Sequence, residues 1–232
     1  MDKLKFALGP YEVFSAIIGG SPLVLAIFLL YNPVTSLQDT LFDIKDELSF
    51  PFAFLIGFCS YILGGAVQGI TWKYFLLLCR VFRQDYSYFG NTIAERDAAL
   101  AQSCELGAIR ELDFEDRLVL QLRRKIGIPK KQHWMNPRLA AYLKSHGSEA
   151  VVTAESYLAS HIMHRNLSFG FLLLPIVILT NFLRGGFSFE KILLISLSLF
   201  IAYMSFFRSL AFKRWQNREL VLGFYFSVED KV

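Results

Sequence analysis

The sequence predicts an all-α integral membrane protein. Four transmembrane helices are expected, with a helical cytoplasmic domain inserted between the second and third and both termini cytoplasmic. Three observations carry this expectation. Apolar residues make up 54% of the 232 positions and are gathered into blocks, where a soluble domain would disperse them. The basic residues beside those blocks fall consistently on one side. The stretch between the second and third blocks carries helix caps and breakers rather than the alternation of strands.

Crossing a hydrocarbon core of about 30 Å takes about 20 apolar residues in a helix. The first candidate span is Tyr11 to Tyr31. Two lysines precede it, as in a signal peptide, but no small-residue cleavage pattern follows, so a retained span is expected. Gly19-Gly20-Ser21-Pro22 predicts a kink, the alternative being an in-plane segment before Pro22. Phe50 to Trp72 is the second candidate, Leu167 to Leu183 the third and Phe189 to Phe207 the fourth. Arg184-Gly185-Gly186 joins the last two as a hairpin.

Orientation follows from charge. The loop 32–49 holds Asp39, Asp43, Asp46 and Glu47 against Lys45 alone and is expected to be periplasmic. Lys3, Lys5, Arg80, Arg83, Arg165, Arg208, Lys213 and Arg214 all fall on the opposite, cytoplasmic side. The expected organisation is therefore 1–84 with the first two spans, 85–166 as the cytoplasmic helical domain, 167–212 as a transmembrane hairpin and 213–232 as a cytoplasmic tail. The bacterial inner membrane is the expected location.

Within 85–166, Thr92 and Glu95 form a capping box for a helix reaching about Arg110. Asp113 caps a second helix over Phe114 to Ile126, ended by Gly127 and Pro129. Asn136-Pro137 places a cap before a first-turn proline, and that third helix ends near Gly147. No breaker occurs from Ser148 to Pro175, so one helix is expected to begin in the cytoplasm and continue as the third span. The second span is likewise helix-compatible on to Gln84.

The second span offers a small-residue face of Gly57, Ser60 and Gly64, a second row of Gly65 and Gly69, and Gln68 one turn beyond Gly64. Such residues let backbones approach, since lipid provides no hydrophobic drive between helices. Close helix packing is the plainer reading; a pore lined by Gln68 and glycine backbone is the functional one. No Asp, Glu, Lys or Arg occupies the centre of a span, which argues against ion-coupled transport. Arg123, Arg124, Lys125, Lys130 and Lys131 cluster around Gly127 and Pro129. They read first as a solvated turn, then as a site for anionic lipid or a phosphate. His161 and His164 lie three apart on one helix, a spacing that chelates a metal only with further ligands, which the sequence does not supply. Glu111, Asp113, Glu115 and Asp116 sit around a helix start, where the macrodipole favours them.

The chain has three cysteines and no CxxC, so neither a disulfide framework nor a zinc knuckle is expected. No catalytic or cofactor-binding signature occurs, so no catalytic residue, cofactor or metal is assigned and enzymatic activity is not expected. A net charge of +4 gives no case for direct nucleic-acid binding.

Three segments, Ser60-Tyr61-Ile62-Leu63-Gly64-Gly65-Ala66-Val67-Gln68, His164-Arg165-Asn166-Leu167-Ser168-Phe169-Gly170 and Lys213-Arg214-Trp215 with Arg218-Glu219, resemble small bacterial inner-membrane proteins with four transmembrane helices. That largely uncharacterised set includes membrane effectors of antiviral defence. The resemblance implies a bacterial host and is compatible with a defence role; it assigns no catalytic residue. The function expected is an oligomeric membrane effector or pore-forming protein whose cytoplasmic domain senses a ligand or partner. Membrane lipids and further copies of the chain are the expected partners. One alternative is a membrane anchor or scaffold that recruits a soluble protein through residues 81–166. Another is a membrane enzyme acting on lipid phosphates.

Overall fold

The computed structural model describes residues 10–31, 50–87, 92–105, 113–129, 134–185 and 189–229. Every described element is helical: α1 (Pro10–Tyr31), α2 (Phe50–Ala66), α3 (Gln68–Val81), α4 (Thr92–Glu105), α5 (Phe114–Lys125), α6 (Met135–Ser145), α7 (Ala150–Gly185) and α8 (Phe189–Glu229). Three helices, α1, α7 and α8, are long and apolar enough to cross a membrane. The pair α2 and α3 adds a fourth if taken as one span, though the two are bent by 59° at Val67. The chain divides into two compact units: residues 1–84 with 159–212, and residues 85–158 with 213–232. Helices α7 and α8 each contribute one part to each unit.

In the first unit, α1 is one helix across the Gly-Gly-Ser-Pro sequence. Pro22 has no N–H, so the carbonyl of Ile18 loses its helical donor. The Ser21 hydroxyl supplies one instead, donating to Ile18 O at 2.9 Å. Helix α1 packs closely on α2 through small residues. A Cβ on Gly20 would lie 1.9 Å from the Ser60 carbonyl oxygen, and one on Gly64 would lie 2.2 Å from that of Ala16. Gly170 of α7 similarly accommodates Pro22, whose Cβ would sit 2.8 Å from an added methyl. In lipid such backbone proximity is what packing energy rests on. The outward faces are apolar, with Phe54, Leu55, Phe58, Ile62, Ile176, Leu193 and Phe200 exposed, a distribution suited to lipid and costly in water.

The second unit has an apolar core of its own. Leu118 and Leu122 of α5, Leu139 and Leu143 of α6, and Val151 and Ala154 of α7 converge on Leu220, Val221, Phe224, Tyr225 and Val228 of α8. The last group recurs at helical spacing, so one face of α8 fills this core. Residues 213–229, expected as a tail, are thus helix and core. Asn217 donates to Tyr86 O at 2.8 Å and Arg214 to Asp85 O at 2.7 Å, fastening the start of the unit to α8.

Caps set the helix ends here. Asp113 accepts from the Asp116 amide at 2.7 Å, as the sequence predicts for α5. Gly127 and Gly147 adopt φ of +69° and end α5 and α6, the conformation for which glycine is suited. The cap expected of Asn136 is not formed. Helix α6 begins two residues earlier than that cap implies, at Met135, and Asn136 Nδ2 instead donates to Asn217 Oδ1 at 2.6 Å. Of the Thr92–Glu95 capping box, the Thr92 side chain lies outside the described residues. The uninterrupted helix expected through the second span to Gln84 is broken at Val67 and ends at Val81.

The α5 cap carries a pH dependence. The Asp116 N–H, and then the Arg96 guanidinium, hold the Asp113 carboxyl below the usual carboxylate range. A lowered carboxyl pKa stabilises the fold above the ordinary value of 3.8, and that stabilisation is lost as pH falls from there through the folded value. Far-UV circular dichroism across acid pH is expected to show helix loss in this window, and less of it in Asp113→Asn, which keeps a capping oxygen without the titration. For the first unit, Gly20→Ala and Gly64→Ala are expected to destabilise the protein in detergent by about 1–3 kcal/mol. Gly57→Ala, where an added Cβ meets nothing, should leave the thermal midpoint in place.

Candidate functional site

The break at Val67 creates a backbone problem. Between α2 and α3 the helical ladder is interrupted, and side chains of two adjacent α7 residues reach the carbonyls on either side of the break. Asn166 Nδ2 donates to Gly64 O at 3.0 Å, and Arg165 donates through an Nη to Gln68 O at 3.4 Å. Thr71 joins the two side chains: Arg165 Nε donates to its Oγ1 at 3.1 Å, while that hydroxyl donates to Asn166 Oδ1 at 2.7 Å. Gln68 O, at 3.1 Å, competes for the same proton. Arg165, Asn166 and Thr71 are all buried, and the Arg165 guanidinium lies 5.5 Å from the centre of the Trp72 ring.

Around this centre the polar contacts are paired and directional. Ser168 donates to Ala202 O of α8 at 2.8 Å, so Tyr74 OH, at 3.0 Å, is the donor to Ser168 Oγ. His161 Nδ1 lies 3.1 Å from Ser209 O and 2.8 Å from Ser209 Oγ, and Ser209 Oγ donates to His161 O. A carbonyl only accepts, so Nδ1 carries the proton. The ring of His161 meets Phe75 edge-on at 4.9 Å. Its role is to join α7 to α8. His164 bonds elsewhere, to Ser160 O at 2.9 Å, beside Phe212. Glu155 is exposed. Among the described residues no group of three or more His, Cys, Asp or Glu side chains converges on a metal-sized space.

The small-residue face divides in two. Ser60 and Gly64 are buried against α1. Gly57, Gly65 and Gly69 have open space where a Cβ would stand, and Gln68 is exposed. In the second unit, Arg123, Arg124 and Lys125 form the last turn of α5, where cations suit the helix dipole; Arg123 also pairs with Asp97 at 3.1 Å. Lys130 and Lys131 lie outside the described residues, as does Glu111. Asp113, Glu115 and Asp116 all pair with Arg96, an ion-pair hub on α4 that the sequence reading does not anticipate.

Arg165 is the functional candidate that sequence reading missed. It reads as a flanking topological cation, yet it is 6% exposed, and among the described residues no carboxylate is within ion-pair distance. A buried cation neutralised only by dipoles is costly, and in membrane proteins such groups mark functional positions. The available signal was the local pattern: His161, Arg165 and Ser168 recur at helical spacing just before an apolar block. No known protein family, characterised protein or solved structure matches the chain.

Thr71→Val removes the acceptor of Arg165 Nε and the donor to Asn166 Oδ1 together. It is expected to cost about 1–3 kcal/mol in thermal unfolding in detergent. Thr71→Ser should retain most of the stability, and equal midpoints for the two variants would refute the network's role.

Proposed function

We propose that this protein is a self-associating membrane effector that opens a path across a bacterial inner membrane in response to a signal received by its helical unit. In this reading α1, α2, α7 and α8 make four crossings, with both termini and the segment 85–158 in the cytoplasm. The carrying observation is the break at Val67. There, exposed Gly65, Gly69 and Gln68 adjoin a backbone secured from behind by buried Arg165 and Asn166. Irregular backbone within a membrane is tolerated where it is covered by protein or lines a wet cavity. The α1 contact uses Ser60 and Gly64, which leaves the second row of glycines for a neighbouring copy. The apolar outward faces support membrane residence, and the resemblance of the Ser60–Gln68 and His164–Gly170 segments to small bacterial inner-membrane proteins, a set that includes effectors of antiviral defence, supports the defence setting.

The test is ion flux from liposomes containing the full chain, read beside the cross-linked mass. Gly65→Leu is expected to reduce both self-association and flux, and Gln68→Leu to change flux with association unaltered. A chain that remains monomeric in lipid and passes no ions would rule the proposal out.

A further inference from the structure

Helix α3 does not behave as the continuation of a span. A helix that continued across the bilayer would climb its neighbours and meet each at successive turns. Along α3, Thr71 meets α7 at Asn166, Tyr74 at Ser168 and Phe75 at His161, with no steady progression in one direction. Just past its end, Phe82 touches α8 at Tyr203, Phe206 and Phe207, with ring centres 5.5–6.2 Å apart. The hydrogen bond from Ser168 to Ala202 places those stretches of α7 and α8 at one level. Helix α3 therefore passes from one to the other with much less climb than a continued span would have, in keeping with the 59° bend from α2. Helix α2 alone, with 17 residues, is about 25 Å long and covers most of a hydrocarbon core of about 30 Å. The level at which α3 lies is also where cations begin, with Arg165 on α7 and Arg208 on α8.

The faces of α3 fit that placement. Thr71, Phe75 and Cys79 are buried. Ile70, Leu77 and Val81 form an exposed apolar row. Lys73 and Arg80, also exposed and one heptad apart, form a parallel row on the flank of the apolar one, and exposed Arg83 follows. No acidic residue occurs from Gln68 to Gln84, and among the described residues neither Lys73 nor Arg80 has an ion-pair partner. An apolar row bordered by cations is the pattern of a helix lying in a membrane surface, its cations at headgroup level.

We propose that α3 is an interfacial helix of the cytoplasmic leaflet and that Lys73 and Arg80 bind the phosphates of anionic phospholipids. This rests on the reading that α2 crosses a membrane, and the experiment separates the two. The full chain, with Cys59, Cys79 and Cys104 replaced by alanine, is reconstituted in vesicles of phosphatidylglycerol and phosphatidylcholine. Spin labels are placed singly at Ile70→Cys, Leu77→Cys and Val81→Cys, with Leu55→Cys and Ile62→Cys on α2 as references. Depth is read from relaxation by oxygen and by a water-soluble nickel complex. The three α3 labels are expected at one shallow depth; a continuing span would spread them over about 16 Å. That spread would overturn the proposal, whereas reference labels that oxygen does not reach would overturn the membrane reading itself. Lipid selectivity is read by quenching of Trp72, with Trp134 and Trp215 replaced by phenylalanine, by brominated phosphatidylglycerol against brominated phosphatidylcholine. The preference for the anionic lipid is expected to fall about fivefold for each of Lys73→Gln and Arg80→Gln. No preference, or one that both substitutions leave intact, would overturn the headgroup assignment.

Discussion

The first unit is organised by the need to satisfy backbone groups where a helix stops and restarts. At Val67 the chain changes direction, and side-chain donors from α7 reach Gly64 O and Gln68 O on either side of the bend. Asn166 and Arg165 supply them, which fixes the position of α7 against both α2 and α3. Ser168, one turn on, then bonds α7 to α8, and Tyr74 of α3 completes the link. The buried cation is thus not a defect in an apolar bundle. Its five donors in a fixed planar fork suit it to bridge a side chain and a carbonyl together, which a lysine ammonium would do less specifically.

Close approach complements that network. With Ala16 and Gly20 of α1 pressed on Ser60 and Gly64 of α2, the backbones pack where side chains would separate them. Gly19 faces Asn166, whose Cβ would be 2.9 Å from an added methyl, so the glycine pair of α1 serves two neighbours at once. Glycine here is chosen for absent volume rather than for backbone freedom, since both residues are helical.

Helix content and the apolar blocks were legible because they depend on local pattern. The Asp113 cap and the Gly127 and Gly147 stops were legible for the same reason: each acts within a turn of its own position. What escaped reading depends on distant partners. Val67 is an ordinary helix residue, and only the donors on α7, nearly a hundred residues away, make a break there tolerable. Asn136 carries a cap signal that a better-placed partner, Asn217, overrides. Arg165 has the sequence signature of a topological flank, and only its burial shows otherwise. The helical core role of Leu220 to Val228 was hidden because the charged stretch Lys213 to Arg218 precedes it and reads as solvated tail.

The contribution of Leu220 to Val228 to that core orders the steps of biosynthesis. The second unit takes its core from α4, α5 and α6, made early, and from the end of α8, made after the final apolar block. Leu118, Leu139 and Leu143, none of them exposed in the finished unit, must wait through the synthesis of α7 and the apolar part of α8 before Phe224 reaches them. During that interval the nascent chain presents an incomplete apolar surface, the kind that draws chaperones or misassembly. Completion of the second unit therefore reports that α7 and the apolar part of α8 have been made, so its maturation does not follow directly on the synthesis of α6.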